Sequence, residues 1–160
     1  MLKRIIIIIL LFFTFMASSY SAATTGGSTK SNYDKAALLI KSAKKYEIKG
    51  KDKRAKKRYE RALKLLIKSN KDKPNQADTL NYLGFATRKL GNYEEGEKYY
   101  LLGLKIDPNH KGINEYLGEL YVVTNRIELA KQRLNVLKNC NCEEYQELKD
   151  IIDGNKKSKY

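Results

Sequence analysis

Small and apolar residues recur along the chain at spacings that fit three pairs of helices. Small residues stand at Ala43, Gly84 and Gly118, and the same two offsets of 41 and 34 residues relate Ala55, Gly96 and Ala130, and also the bulkier Tyr59, Tyr100 and Leu134. Helices whose axes cross about 8 to 10 Å apart need small residues at the crossing and large ones beside it. The pattern therefore predicts an all-α chain whose three helix–turn–helix units bury their apolar faces against one another.

Residues that commonly terminate helices predict where the helices end. Gly50, Gly91 and Asn125 lie between the two helices of each unit, and these residue types readily take the left-handed conformation that ends a helix. The first interval is longer because of the polar segment 68–74, for which a longer helix and a loop both remain open. Asn141 and Glu144 have the spacing of a capping box, which predicts a final helix that ends at Gly154.

The start of the chain has the pattern of a secretory signal peptide. Lys3 and Arg4 precede the apolar run 5–13, and Ser21 and Ala23 suit cleavage after residue 23. The run is shorter than the roughly 20 residues that a membrane span requires, although an uncleaved anchor remains the alternative. We therefore predict a signal peptide at 1–23, export to the periplasm or the outside, and a flexible lead-in at 24–32.

The second unit resembles the tetratricopeptide repeat (TPR). The signature spacings are met by Leu83, Gly84, Gly91, Tyr93, Gly96, Tyr100, Gly103 and Pro108. The other two units are degenerate copies, and parts of the third unit and of the segment after it also resemble exported bacterial TPR proteins of no settled activity. The resemblance implies a short TPR solenoid of three antiparallel helix pairs plus a C-terminal capping helix. Its domain would span 33–153, with units at about 36–69, 77–110 and 111–140, a cap at 142–153 and a tail at 154–160.

The same resemblance implies a binding surface. TPR arrays usually bind partners in a concave groove formed by the first helix of each pair, here assigned to Lys44, Asn81, Phe85, Arg88, Lys89, Glu115, Glu119 and Val122. For Phe85, ordinary packing is the alternative. Members that clamp the C-terminal carboxylates of a chaperone need Lys, Asn or Arg at the positions of Ile40, Lys44, Tyr82, Gly112 and Tyr116, and only Lys44 fits. We therefore predict a different peptide, or a neighbouring subunit, in the groove.

Charge is distributed very unevenly. The 160 residues carry a formal net charge of +14, and residues 41–73 hold fifteen Lys or Arg against four Asp or Glu. A basic patch on the second helix consists of Lys53, Arg54, Lys56, Lys57, Arg58 and Arg61. Three interpretations remain open: a solvated face, attraction to an anionic membrane surface, and an acidic protein partner. The export signal argues against nucleic acid.

Residues that could carry chemistry are few. One histidine and two cysteines cannot close a Cys/His zinc cage, so we predict no metal. No catalytic triad can be built without His110, and no glycine-rich phosphate loop follows a strand, so we also predict no cofactor, small-molecule substrate or enzymatic activity. His110 is predicted to be a turn residue. For Cys140 and Cys142, a disulfide and two reduced thiols both remain open. The function predicted from the sequence is an exported scaffold or adaptor that binds an unidentified envelope protein. The alternative is a peripheral envelope protein held at a membrane surface by the basic patch.

Overall fold

A computed structural model describes residues 30–158, so the predicted signal peptide at 1–23 lies outside the described residues. Within that range the chain forms seven α-helices: α1 Asn32–Ile48, α2 Asp52–Asp72, α3 Ala77–Lys89, α4 Tyr93–Ile106, α5 Lys111–Val123, α6 Ile127–Leu137 and α7 Glu143–Ile152. None of these helices combines the length and the apolar composition that a membrane crossing needs.

Consecutive helices pack as three hairpins that stack side by side. Helix α1 packs on α2, α3 on α4 and α5 on α6, while α2 contacts α3, α4 contacts α5, and α7 covers α5 and α6. This arrangement confirms the all-α solenoid of three antiparallel pairs and a capping helix that the repeat pattern predicted.

The turns within the three hairpins share one geometry. Gly50, Gly91 and Asn125 have φ angles of 63°, 93° and 59°, as predicted for left-handed residues that end a helix. The residue after each donates its backbone N–H to the carbonyl five residues back, at 2.7 to 3.2 Å. This is the bond of a Schellman motif, and it satisfies a carbonyl that the helix end would otherwise leave without a donor.

The polar segment 68–74 lengthens a helix. Helix α2 continues through Asp72 and ends before Pro74, because proline disfavours the helical conformation in the residue that precedes it. Five of the seven extra residues of the first unit, 68–72, therefore lengthen α2, and the other two begin the link to α3.

The predicted capping box at Asn141 and Glu144 is wrong. Asn141 has a φ of 45°, and the N-cap of α7 is Cys142, which makes no capping side-chain hydrogen bond. Asn141 takes a left-handed conformation in the link between α6 and α7, so its side chain is not at the cap position. A capping box does occur at the start of α1, between Ser31 and Asp34.

Small residues lie where neighbouring helices approach each other most closely. A Cβ atom added to Gly84 would lie 2.6 Å from Cε1 of Tyr100, and one added to Gly118 would lie 2.5 Å from Cδ2 of Leu148. The buried apolar side chains form two clusters, one from α1, α2 and α3 and one from α4, α5 and α6, and Tyr116 packs against both. The hairpins therefore share their cores with their neighbours.

Candidate functional site

The middle of the concave surface is filled by its own side chains. Helices α1, α3 and α5 converge there, so that Lys44 Nζ on α1 donates a 3.0 Å hydrogen bond to the hydroxyl of Tyr116 on α5. The ammonium group also lies 4.5 Å from the centroid of the Phe85 ring and 5.1 Å from that of Tyr116, within the range of cation–π attraction. Burial, followed by the nearby Glu115 carboxylate, raises the pKa of Tyr116, so its phenol stays protonated.

Arg88 and Glu119 form a buried ion pair beneath this contact. Arg88 Nη2 lies 3.3 Å from Glu119 Oε2, and both side chains are 0% exposed. Arg88 Nη1 also donates to the backbone oxygen of Tyr116 at 2.6 Å. The guanidinium carbon lies 5.6 to 5.8 Å from the ring centroids of Phe85, Tyr100 and Tyr116. Arg88 thus ties α3 to α5 from inside the solenoid.

A second set of bonds joins the first two hairpins. The Tyr59 hydroxyl donates to Glu47 Oε2 at 2.9 Å, and Lys89 Nζ lies 2.6 Å from Glu47 Oε1. Burial, with the Glu47 carboxylate as the next cause, raises the pKa of Tyr59. Lys89 therefore contributes to the packing of α3 on the first hairpin.

The eight groove residues assigned from the sequence accordingly fall into two groups. The structure buries Asn81, Phe85, Arg88, Glu115 and Glu119, and it leaves Lys44, Lys89 and Val122 partly exposed. Long side chains from α1, α3 and α5 meet across the concave surface and enclose positions that an open groove would present to solvent. Asn81 and Glu115 alone among the eight line the open part of the concave surface.

That open part is a cavity of about 880 Å³, which we call the helix-start cavity. It is lined by the first turns of α1, α3, α5 and α7 and by the last residues of α2. Tyr33 and Tyr82 stack on one wall, with ring centroids 5.6 Å apart and an interplanar angle of 25°. The volume is within the range of about 300 to 1,000 Å³ that ligand sites typically have.

The lining of the helix-start cavity is acidic. It carries five carboxylates against two lysines, an excess of three negative charges when His110 is neutral: Asp72, Asp78, Asp107, Glu115 and Glu144 against Lys73 and Lys111. The pKa of both Tyr33 and Tyr82 is raised mainly by burial and secondly by the negative charge of the Asp78 carboxylate. The phenols on the wall therefore experience the negative potential of the cavity and stay neutral.

His110 connects the acidic lining to helix α5. Its Nδ1 accepts the backbone N–H of Ile113 at 3.1 Å, which makes His110 the N-cap of the helix. The proton of the neutral ring therefore lies on Nε2, which donates to Asp78 Oδ1 at 3.1 Å. The residue holds the starts of α3 and α5 together across the cavity.

The sequence analysis did not assign Tyr33 and Tyr82 to the binding surface, although helical spacing could have placed Tyr33 there. Tyr33 lies eleven residues before Lys44, which is three helical turns, and so it projects from the same face of α1. Tyr82 entered the sequence argument only as a missing carboxylate-clamp position. A helical-face comparison that continued α1 back to residue 33, ahead of the first predicted unit at about 36–69, would have included Tyr33.

The basic patch lies near the start of α2, away from the cavity at the other end of that helix. Its six side chains are exposed or partly exposed, and among residues 30–158 none of them forms an ion pair with a carboxylate. Arg54 and Arg58 lie 5.9 and 5.8 Å from the ring of Tyr46, and a hydrogen bond from Arg58 is the main cause that lowers the pKa of this phenol.

Cys140 and Cys142 are joined by a disulfide in the link between α6 and α7, with their Cα atoms 5.2 Å apart. The bond encloses a single intervening residue, Asn141. The described part of the chain contains no cluster of three or more His, Cys, Asp or Glu side chains arranged to hold a metal ion.

The fold defines the protein as a short helical-repeat solenoid, and solved structures identify the type of repeat. The NMR structure of the first TPR domain of human RPAP3 is similar at a TM-score of 0.56 and 19% identity, over 75% of this chain and 91% of that one. The first TPR of Spaghetti (RPAP3), bound to the HSP90 peptide SRMEEVD, is similar at a TM-score of 0.53 and 20% identity, over 78% and 95% of the two chains. No protein-family model and no curated protein matches the sequence. The chain therefore has the fold of a TPR domain.

Proposed function

We propose that the protein is an exported protein–protein interaction module, a scaffold or adaptor that binds a segment of an envelope protein in the helix-start cavity. The observation that carries this proposal is a formed cavity of about 880 Å³ on the concave surface of a TPR-type solenoid. The export part of the proposal is supported by the sequence of residues 1–23 alone.

The internal bonds of the concave surface suit it to binding. Lys44, Arg88 and Lys89 link neighbouring helices, so the walls of the cavity are held in place before a ligand arrives. A preorganised receptor loses little entropy on binding, and the cost then falls mainly on the partner segment. The peptide-bound TPR domain of similar fold supports a partner that is a peptide segment rather than a small molecule.

A displayed library of random peptides, selected on the purified protein, tests this proposal. We expect enriched peptides to lose affinity when Tyr82→Ala removes one ring from the cavity wall, because the stacked aromatic rings offer apolar contact to a bound segment. Tyr93→Ala is the matched control, since Tyr93 is exposed at the start of α4 and does not line the cavity. The proposal fails if no peptide is enriched, or if the two substitutions have equal effects.

The basic patch supports a second candidate function, which is attachment to an anionic membrane surface. Six exposed or partly exposed cationic side chains on nine consecutive residues of one helix, without carboxylate partners among the described residues, remain available to lipid headgroups. Each Lys or Arg near an anionic membrane contributes roughly 1 kcal/mol at low salt. The patch and the cavity lie at opposite ends of α2, so the two functions are compatible in one molecule.

A further inference from the structure

We propose that the helix-start cavity is selective for a cationic side chain, the Lys or Arg of an extended partner segment. This inference rests on the proposed function, because it specifies the chemistry of the segment that the cavity receives. It also distinguishes this protein from the similar TPR domain whose bound peptide, SRMEEVD, carries three acidic residues.

The first argument is the sign of the local charge. The lining has an excess of three negative charges, although the whole chain carries +14. Arg61, the patch residue nearest the cavity along α2, is eight residues from Ser69 in the cavity wall, which corresponds to about 12 Å of helix. Exposed charges at that distance are largely screened at physiological salt, where the Debye length is about 8 Å. Lys68 and Lys71 are closer along α2, but they do not line the cavity, so the charged groups that face a ligand inside it are mainly carboxylates.

The second argument is an acceptor inside the wall. Asn81 is 8% exposed and lines the cavity, and its side-chain oxygen is buried without a hydrogen-bond partner among the described residues. A Cβ atom on Gly112 would lie 2.8 Å from Asn81 Nδ2, so the glycine leaves the room that the amide occupies. Lys and Arg side chains are donors without acceptors, so they complement this oxygen and the carboxylates of the lining.

The third argument is the combination of carboxylate and aromatic groups. The Asp78 side chain is 74% exposed and lines the same cavity as the stacked rings of Tyr33 and Tyr82. The methylene stem of a Lys or Arg gains apolar contact with the rings while its charged end reaches the carboxylates. A C-terminal carboxylate placed in the same position would meet like charges.

Peptide pools that differ in one central side chain test the proposal. The probes are N-acetylated, C-amidated peptides with randomised flanks and a fixed central Lys, Arg, norleucine, citrulline or Glu. Binding is followed by ¹⁵N NMR shifts of the Asn81 side-chain amide and the Gly112 backbone amide. We expect the Lys and Arg pools to bind about tenfold more tightly than their uncharged counterparts, norleucine and citrulline, and the Glu pool to bind most weakly.

Charge-removing variants locate the effect. Asp78→Asn combined with Glu144→Gln should reduce the preference for Lys over norleucine by about fivefold, the range of a partly exposed ion pair, and leave norleucine affinity unchanged. The control combines Glu94→Gln with Glu128→Gln, which removes the same net charge from exposed sites on α4 and α6. This control should keep the full preference, and circular dichroism checks that both variants remain folded.

The possible failures are distinguishable. If the norleucine or Glu pools shift the Asn81 and Gly112 signals as strongly as the Lys pool, the cavity binds peptides but is not cation-selective. The proposed function then stands and this inference is overturned. If no pool shifts either signal, both fail. An equal loss of Lys preference in the control variant would also overturn the inference, because the effect would then come from the overall charge.

Discussion

The buried pair between Arg88 and Glu119 offers the most discriminating test of how the concave surface is built. We consider Arg88→Met, Glu119→Leu and the double variant, which replace each side chain by an apolar one of similar length. In an open groove both residues would be solvated, and an exposed ion pair contributes only about 0.2 to 1 kcal/mol. In the structure both side chains are fully buried and bonded to each other.

The expected magnitudes follow from that burial. Either single substitution leaves one charge inside the protein without its main partner, which typically costs about 3 to 5 kcal/mol. That is a large part of the total stability of a domain, which is about 5 to 15 kcal/mol. The double variant removes both charges together, and such replacements are often neutral or stabilising. We therefore expect the double variant to be more stable than either single variant.

Urea unfolding followed by circular dichroism at 222 nm measures the free energy of unfolding of all four proteins. The reasoning is refuted if each single substitution costs less than about 1 kcal/mol, which is the value for a solvated pair. It is also refuted if the cost of the double variant equals the sum of the single costs, because additivity is expected only of residues that do not interact.

Three further predictions concern other parts of the molecule. Gly84→Ala should lower the free energy of unfolding by about 1 to 2 kcal/mol, because the new Cβ would meet the fully buried Tyr100 ring. This overpacking exceeds the gain in helix propensity, so a stabilised variant would contradict the close crossing. Reduction of the Cys140–Cys142 bond should change the free energy of unfolding by less than about 2 kcal/mol, since loop closure over so short a segment restricts the unfolded chain little. Urea titrations with and without reductant measure the change, and a larger loss of stability would contradict the prediction. The protein should bind anionic vesicles at 0.1 M salt and dissociate from them at several times that concentration, because screening weakens the attraction of the basic patch. Equal binding to neutral vesicles in a sedimentation assay would exclude electrostatic attachment.

Local features of the fold could be predicted from the sequence because they depend on a few neighbouring residues. Gly50, Gly91 and Asn125 each determine a turn through their own backbone preference, and the repeated spacing of small residues reports the helix crossings. Asn141 shows the limit of this reasoning. Its residue type suits both an N-cap and a left-handed turn, and the capping-box spacing could not distinguish the two conformations.

The concave surface could not be predicted at the same level because it depends on the curvature of the whole solenoid. The sequence indicated correctly that Arg88 and Glu119 lie on the first helices of their pairs. It did not indicate that three aromatic rings surround the guanidinium group, since those rings come from α3, α4 and α5. Polar character at these positions suggested contact with a partner, whereas the two side chains form an ion pair with each other inside the solenoid.

The extra length of helix α2 has a consequence for how this molecule acquired its cavity. Ser69, Asp72 and Lys73 all belong to the seven residues by which the first unit exceeds the regular repeat, and all three line the cavity. These residues form the part of the cavity wall that α2 and the residue after it provide. We therefore expect a variant that lacks residues 68–74 to keep its stacked hairpins and to have a more open cavity, because that wall would be missing.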